Sequence, residues 1–195
     1  MTLRIDDIRT YFVAAAKQWD EGNRCDPQKL RRIIRLSGIH AHDSVLDLAC
    51  GTGVLTAPLL ETTDRIWGLD LSREMIGIAR RKYEGSSVHF QCGDFYHFAG
   101  GPFDAVFLHN AYPHFGDKQR LVEHLAGVLR PGGKVVVAHS LGRERLNSVH
   151  HRRAGRISVP LRPAGEEALE FSALFSIEAV IEEPDFYYFS CVKKA

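Results

Sequence analysis

The sequence predicts an α/β fold built on a doubly wound, mostly parallel sheet. Three observations predict it. Short apolar runs at residues 44–49, 65–71, 88–91, 103–108 and 134–138 alternate with segments of helical periodicity. Glycine- and proline-containing stops punctuate them. Two β-rich runs, 174–182 and 186–192, parted by Glu183-Pro184-Asp185, read as a hairpin, so at least one late strand runs antiparallel.

The elements follow in order. Ile8, Tyr11, Phe12, Ala15 and Trp19 recur at helical spacing and predict a first amphipathic helix. Asp26-Pro27 supplies an N-cap and a first-turn proline; Leu30, Ile33 and Ile34 form the apolar face, and Ser37-Gly38 the stop. The strand at 44–49 runs into a glycine loop. Residues 54–61 read as a helix provided Pro58 sits in its first turn. After the second strand, Ser72 caps a helix reaching about Tyr83. The run at 103–108 suits a strand buried on both faces. Leu121, Leu125, Val128 and Leu129 mark a helical stripe, stopped by Arg130-Pro131-Gly132-Gly133 before the fifth strand. Strands joined through helices imply right-handed crossovers.

A chain of 195 residues with 45% hydrophobic and 25% charged residues has globular composition. It reads as one domain, 1–195, able to bury roughly 70% of its unfolded surface. With 25 basic and 24 acidic residues the net charge is +1, which steers it toward neither nucleic acid nor an anionic membrane. No run approaches the ~18 apolar residues of a membrane span. Met1 to Asp7 carries two acids and no apolar core, so it does not read as a signal peptide. The four cysteines show no metal-like spacing and read as reduced thiols of a cytoplasmic protein.

The strongest chemical signal is Val45-Leu46-Asp47-Leu48-Ala49-Cys50-Gly51-Thr52-Gly53. Gly51 and Gly53 let the backbone turn sharply and let a ligand approach. The following helix N-terminus offers donors to an anion, while the Asp47 carboxylate suits an ammonium. Donors beside an acid fit an amino-acid zwitterion better than a pyrophosphate. Asp70 ends the second strand about 20 residues later, where an acid accepts both hydroxyls of a ribose. Gly93-Asp94-Phe95 follows the third strand; Asp94 suits an adenine amine, and Phe95 or Met75 its ring.

Together these motifs resemble the class I S-adenosylmethionine-dependent methyltransferases, over roughly residues 8–140. The glycine loop with its aspartate is like the family's first motif, and Asp70 matches its ribose-holding acid. Phe103-Asp104-Ala105-Val106-Phe107, then Leu129-Arg130-Pro131-Gly132-Gly133-Lys134, resembles its fourth strand and the turn after it. Trp19-Asp20 is similar to a Tyr-Asp pair of the small-molecule branch. The resemblance implies a seven-stranded sheet with only the last strand antiparallel. It also implies S-adenosyl-L-methionine as cofactor and S-adenosyl-L-homocysteine as product. Cofactor contacts are expected from Trp19, Asp47, Ala49, Gly51, Gly53, Asp70, Leu71, Met75, Gly93, Asp94, Phe95, His109 and Asn110. A dehydrogenase would need G-x-G-x-x-G or A, and Thr56 stands at the last position.

The acceptor is expected beside Leu108 to Phe115, beyond the fourth strand. Asn110-Ala111-Tyr112-Pro113 departs from the N/D-P-P-Y/F stretch of the amino-methylating branch. Tyr112, His114 and His139 are the expected catalytic residues, with a general base needed only for a protonated acceptor. No metal ligands are assigned; metal binding by some of His109, His114, His139, His150 and His151 is the alternative that imidazole chemistry leaves open. Residues 142–162 carry six arginines against Glu144 alone, a cap for an anionic group or a solvated surface. The expected organisation is a helical lid over 1–40, a cofactor core over 41–140, and a cap with hairpin over 141–195. A small-molecule acceptor follows from the charge and the short chain. RNA or protein methylation, and non-catalytic cofactor binding, are the rivals.

Overall fold

The computed structural model describes residues 3–22, 25–153 and 156–195; the Arg153 side chain also lies outside the described set. Helix α1 spans Ile5–Ala15 and α2 Trp19–Gly22, with a 3-10 turn at Ala16–Gln18 between them. The single helix expected through Trp19 is therefore broken, and the break re-aims Trp19. Helix α3 covers Pro27–Ser37, its N-terminus capped by Asp26, whose Oδ1 accepts the Gln28 N–H at 2.8 Å. Leu30, Ile33 and Ile34 are buried, as the stripe requires. Each such side chain contributes roughly 1.5–3 kcal/mol on burial.

Then β1 (Val45–Leu48), α4 (Thr56–Leu60), β2 (Ile66–Asp70), α5 (Arg73–Lys82), β3 (His89–Cys92) and β4 (Phe103–His109) follow. Pro58 is the third residue of α4, inside the first turn, where it removes no helical hydrogen bond. After them come α6 (Lys118–Val128), β5 (Leu129–His139), α7 (Arg143–Arg153), α8 (Ala164–Leu169), β6 (Phe175–Glu183) and β7 (Phe186–Lys193). The fifth strand begins earlier than its apolar run suggests. Phe103 pairs with Leu129 and Ala105 with Lys134, so Arg130 to Gly133 bulge out of register. A Cβ on Gly133 would lie 2.9 Å from the Arg130 carbonyl oxygen, so only glycine fits the bulge.

The seven strands lie in the order β3-β2-β1-β4-β5-β7-β6. The pairs from β3 to β5 are parallel; β7 runs antiparallel to both β5 and β6. Alternate side chains feed two apolar layers. Leu46, Leu48, Val106, Leu108, Val135 and Val137 pack with α6 and α8 on one face. Val45, Ala105, Phe107, Val136 and Ala138 pack with α3 and α4 on the other. The sheet is thus covered on both sides, which explains its continuous apolar runs. Its order reverses between β1 and β4, and the crevice at such a switch point is where open α/β sheets take ligands. No helix among the described residues is long and apolar enough to cross a membrane. All four cysteines are free thiols.

Candidate functional site

A cavity of about 1000 Å3 opens at the carboxyl ends of the strands. That is the upper end for ligand pockets, with room for a nucleoside-sized molecule and a second one. Its wall is built from the turns after β1, β2, β3 and β4, and its cover from α1 and α7.

At the β1 turn, Ala49 and Gly51 face the cavity, Ala49 with φ +58. A positive φ at a non-glycine residue is held only where surroundings enforce it. The Asp70 carboxylate lies next to this turn: Oδ2 accepts the Gly51 N–H at 2.9 Å and Oδ1 the Ser72 N–H at 2.8 Å. With the Leu71 amide also near the carboxylate, at least one lone pair stays open to a further donor. Burial raises the Asp70 carboxyl, opposed by the amides it accepts. Leu71 and Met75 add apolar wall beside it. Gly93, Asp94 and Phe95 continue the surface; Asp94 caps the turn through the Tyr96 N–H at 3.0 Å. Across the opening, Trp19 and Phe12 close the cavity, their rings 5.4 Å apart. His109 and Asn110 form the β4 end. Asn110 carries φ +53, and its side-chain oxygen accepts the Ser140 N–H at 3.0 Å.

Four expected site residues stand off this wall. Asp47 is 2% exposed and lies beneath the loop, its Oδ2 without a hydrogen-bond partner. Burial, then the neighbouring Asp70 charge, pushes its carboxyl up to about 7, against the Thr56 hydroxyl nearby. Of the two expected ways for Asp47 to hold a ligand ammonium, directly or through water, its place beneath the loop favours the second. Gly53 also faces inward: a Cβ there would sit 2.6 Å from the Tyr83 ring, and the Tyr83 hydroxyl donates to its carbonyl at 2.6 Å. Its glycine is required by packing. Tyr112 is 0% exposed and donates to Glu167 Oε2 at 2.9 Å, on the core side of the turn. His139 is fully buried, packs on Tyr187, and neither ring nitrogen has a partner. Neither Tyr112 nor His139 lines the cavity, so the expected contact with an acceptor does not hold for them.

His114 does line it. Its Nδ1 lies 2.8 Å from the Ile157 carbonyl oxygen. A carbonyl only accepts, so Nδ1 carries the hydrogen and Nε2 the lone pair. Burial pushes the His114 ring down to about 4, so it is neutral at physiological pH. His109 is held down to about 4 by burial as well, with Nε2 2.9 Å from the Ser140 hydroxyl. The His150 ring lies 5.4 Å from that of His114. Among the described residues no group of three or more His, Cys, Asp or Glu side chains is placed to hold a metal ion.

In the arginine-rich segment the solvated-surface reading fits the described arginines better than the anion cap. Its helix, α7, covers the cavity through Leu146, Val149 and His150. Arg143 binds Glu182 at 2.7 Å, and Arg162 binds Glu167 and Glu170. Arg145, Arg152 and Arg156 are exposed and off the wall.

Three features were not foreseen. Lys118 lines the cavity, its ammonium 2.7 Å from the Tyr112 carbonyl oxygen and 3.3 Å above the Tyr112 ring centre. Burial, against the attraction of Glu167, lowers the Lys118 ammonium to about 7. Arg120 stacks over Tyr96 at 4.0 Å at the rim. Asp20 ties the lid to the glycine loop through Thr52 and Lys82. Lys118 and Arg120 have no local sequence signature; Asp20 has one in the Trp19-Asp20 pair, but its bond to Thr52 has none.

Residues 45–133 match the family model of a methyltransferase domain. Over 141 residues the chain is 31% identical to the ubiquinone/menaquinone biosynthesis C-methyltransferase UbiE of Bdellovibrio bacteriovorus, covering 67% of this chain and 60% of that protein. Over 112 residues it is 34% identical to the O-methyltransferase cnsE of Penicillium expansum, covering 54% of this chain and 40% of that protein. It therefore spans less than two thirds of either relative. Among solved structures, the DhpI–SAH complex superposes with a TM-score of 0.76 at 26% identity, over 97% of each chain. With the sheet order and the glycine loop, these matches support a class I S-adenosylmethionine-dependent methyltransferase. The cofactor of that class is S-adenosyl-L-methionine.

The residues present fit that cofactor. Asp70 keeps at least one open lone pair for a ribose hydroxyl, Leu71, Met75 and Phe95 give an apolar slot for a base, and Asp94 offers an acceptor to an exocyclic amine. When bound, the cofactor supplies a sulfonium methyl group.

Proposed function

We propose that this protein transfers a methyl group from S-adenosyl-L-methionine to a small-molecule acceptor bound in the same cavity. The observation that carries this reading is the continuity of the cavity from Asp70 and Gly93–Phe95 to His114 and His150. One enclosure holds a nucleoside end and a second, histidine-lined end. The relatives named as quinone C-methyltransferase and O-methyltransferase support a small acceptor. Phe12 and Trp19 from the N-terminal segment, and Leu146, Val149 and His150 from α7, enclose it and exclude water.

Methyl transfer is an in-line displacement, so the protein's main task is alignment of the reacting atoms at about 3 Å. His114 orients the acceptor. Its fixed tautomer leaves Nε2 to accept a hydrogen bond from the acceptor's O–H or N–H. A ring titrating at about 4 holds a proton poorly, so it aligns the nucleophile more than it stores the proton.

Calorimetry with S-adenosylhomocysteine, then transfer of labelled methyl to a metabolite panel, an RNA and a protein fraction, tests this. Binding with label in a small molecule is expected. No binding at millimolar cofactor product, or label only in macromolecules, overturns it.

A further inference from the structure

The charges around the cavity are divided. The carboxylates facing its nucleoside end are Asp70 and Asp94. At the other end lie Lys118, His114 and His150. Asp117, at the rim, is exposed and spends Oδ1 on the Arg120 N–H at 3.0 Å as the cap of α6. His114 lies close enough to His150 and Lys118 for both to oppose its protonation.

Lys118 has an unusual set of partners. Its ammonium donates to the Tyr112 carbonyl at 2.7 Å and rests on the Tyr112 ring, and it makes no salt bridge with any described carboxylate. The nearest counter-charge, Glu167, is taken by the Tyr112 hydroxyl and by Arg162. An ammonium has three donors; a carbonyl and a ring face leave at least one directed elsewhere. A largely desolvated cation without an ion partner is costly unless something supplies the missing charge. Lys118 lines the cavity beside His114.

We propose that the methyl acceptor is an acid, and that Lys118 is the residue that selects it, its ammonium taking the acceptor's carboxylate or phosphate-type oxyanion while the nucleophilic atom faces His114. The inference rests on the methyltransferase reading and names the substrate class of that site. An oxyanion at Lys118 completes the ion pair the fold leaves open and anchors the acceptor at a point away from the reacting atom. Neutral analogues lose that anchor, because the ammonium stays unpaired.

The test uses the protein saturated with S-adenosylhomocysteine. Paired probes are titrated by calorimetry: 4-hydroxybenzoate, phenyl phosphate and the neutral 4-hydroxybenzamide, backed by a thermal-shift panel of small acids and their amides. The acids are expected to bind at least tenfold more tightly than the amides, and the carboxylate and phosphate arms identify which oxyanion fits. Lys118→Met is expected to remove that preference, lowering acid affinity at least tenfold without changing amide affinity, and Lys118→Arg to retain part of it. Should Lys118→Met fail to fold, Lys118→Gln and the wild-type comparison decide. Cofactor product bound but acids no better than amides, or a preference that survives Lys118→Met, overturns the inference alone. Failure of S-adenosylhomocysteine to bind overturns the methyltransferase reading beneath it.

Discussion

Asp20 Oδ1 accepts the Thr52 hydroxyl at 2.5 Å, joining the N-terminal lid to the middle of the glycine loop. Lys82 completes the clasp, donating to Asp20 Oδ2 at 3.0 Å and to the Thr52 carbonyl at 3.1 Å. Burial raises the Asp20 carboxyl, but the Thr52 hydroxyl and the Lys82 ammonium outweigh it and hold the carboxyl below its ordinary value. The ion pair is solvent-exposed and contributes little by itself. The hydroxyl matters more, because Thr52 is 0% exposed and loses its acceptor when Asp20 is removed. Asp20→Ala is expected to cost about 1 kcal/mol, or roughly fivefold in S-adenosylhomocysteine affinity. Faster hydrogen exchange over residues 5–22 should accompany it. Unchanged affinity and exchange would show that the clasp holds nothing shut.

Asp70 carries two backbone amides as well as the expected sugar contact, so its loss acts twice. Removing the carboxylate leaves the Gly51 and Ser72 N–H groups without their acceptor and, on the proposed reading, deprives the cofactor of its diol partner. Asp70→Ala should weaken cofactor-product binding by about 100-fold, equivalent to about 2.7 kcal/mol. Asp70→Asn, which keeps an oxygen but not the charge, should fall between. Calorimetry on both variants checks the order; an Asp70→Ala protein that binds as well as wild type places the sugar elsewhere.

The strands and the glycine loop were legible because their physics is local. A strand buried on both faces leaves a run such as Phe103 to Leu108, and the turn after β1 needs its glycines whatever lies beyond. The His139 position was also within reach. Val135 and Val137 share one face of β5, so His139, two residues on, falls into the same apolar layer and not into the crevice. For Tyr112 the sequence holds no such signal. A tyrosine in a turn looks the same whether its hydroxyl meets a ligand or Glu167, 55 residues away. The Gly53–Tyr83 contact, the Asp20–Thr52 bond and the Lys118 placement likewise join residues whose pairing only the folded chain reveals.

Tyr112→Phe separates packing from recognition. The substitution removes the hydroxyl that donates to Glu167 but keeps the ring beneath Lys118. Glu167 is 2% exposed and would lose one of its donors, retaining Arg162. A loss of about 1–3 kcal/mol in unfolding free energy is expected, by urea denaturation. The KM for the acceptor should stay within about twofold. A large KM change with unaltered stability would return Tyr112 to the cavity.

The buried histidines set how the fold responds to acid. His109 and His114 are held down to about 4 by burial, His139 well below the ordinary histidine value, and His150 lower too. In the unfolded chain these rings take up protons near 6.5, so between pH 6.5 and about 4 the unfolded state binds more protons than the folded one. Stability is then complete above about pH 6.5 and is lost as pH falls through that window. His109 and His114 each account for at most about 3 kcal/mol. The raised carboxyls of Asp47 and Asp70 act in the opposite direction, since the folded protein takes up their protons first. Four rings against two carboxyls leave a net loss. Thermal unfolding should therefore shift steeply downward between pH 6.5 and 4.5. His139→Phe, which keeps an aromatic ring beside Tyr187 without a titrating nitrogen, should flatten the slope. A melting temperature that does not move over that range would overturn the reading of these rings as neutral in the folded chain.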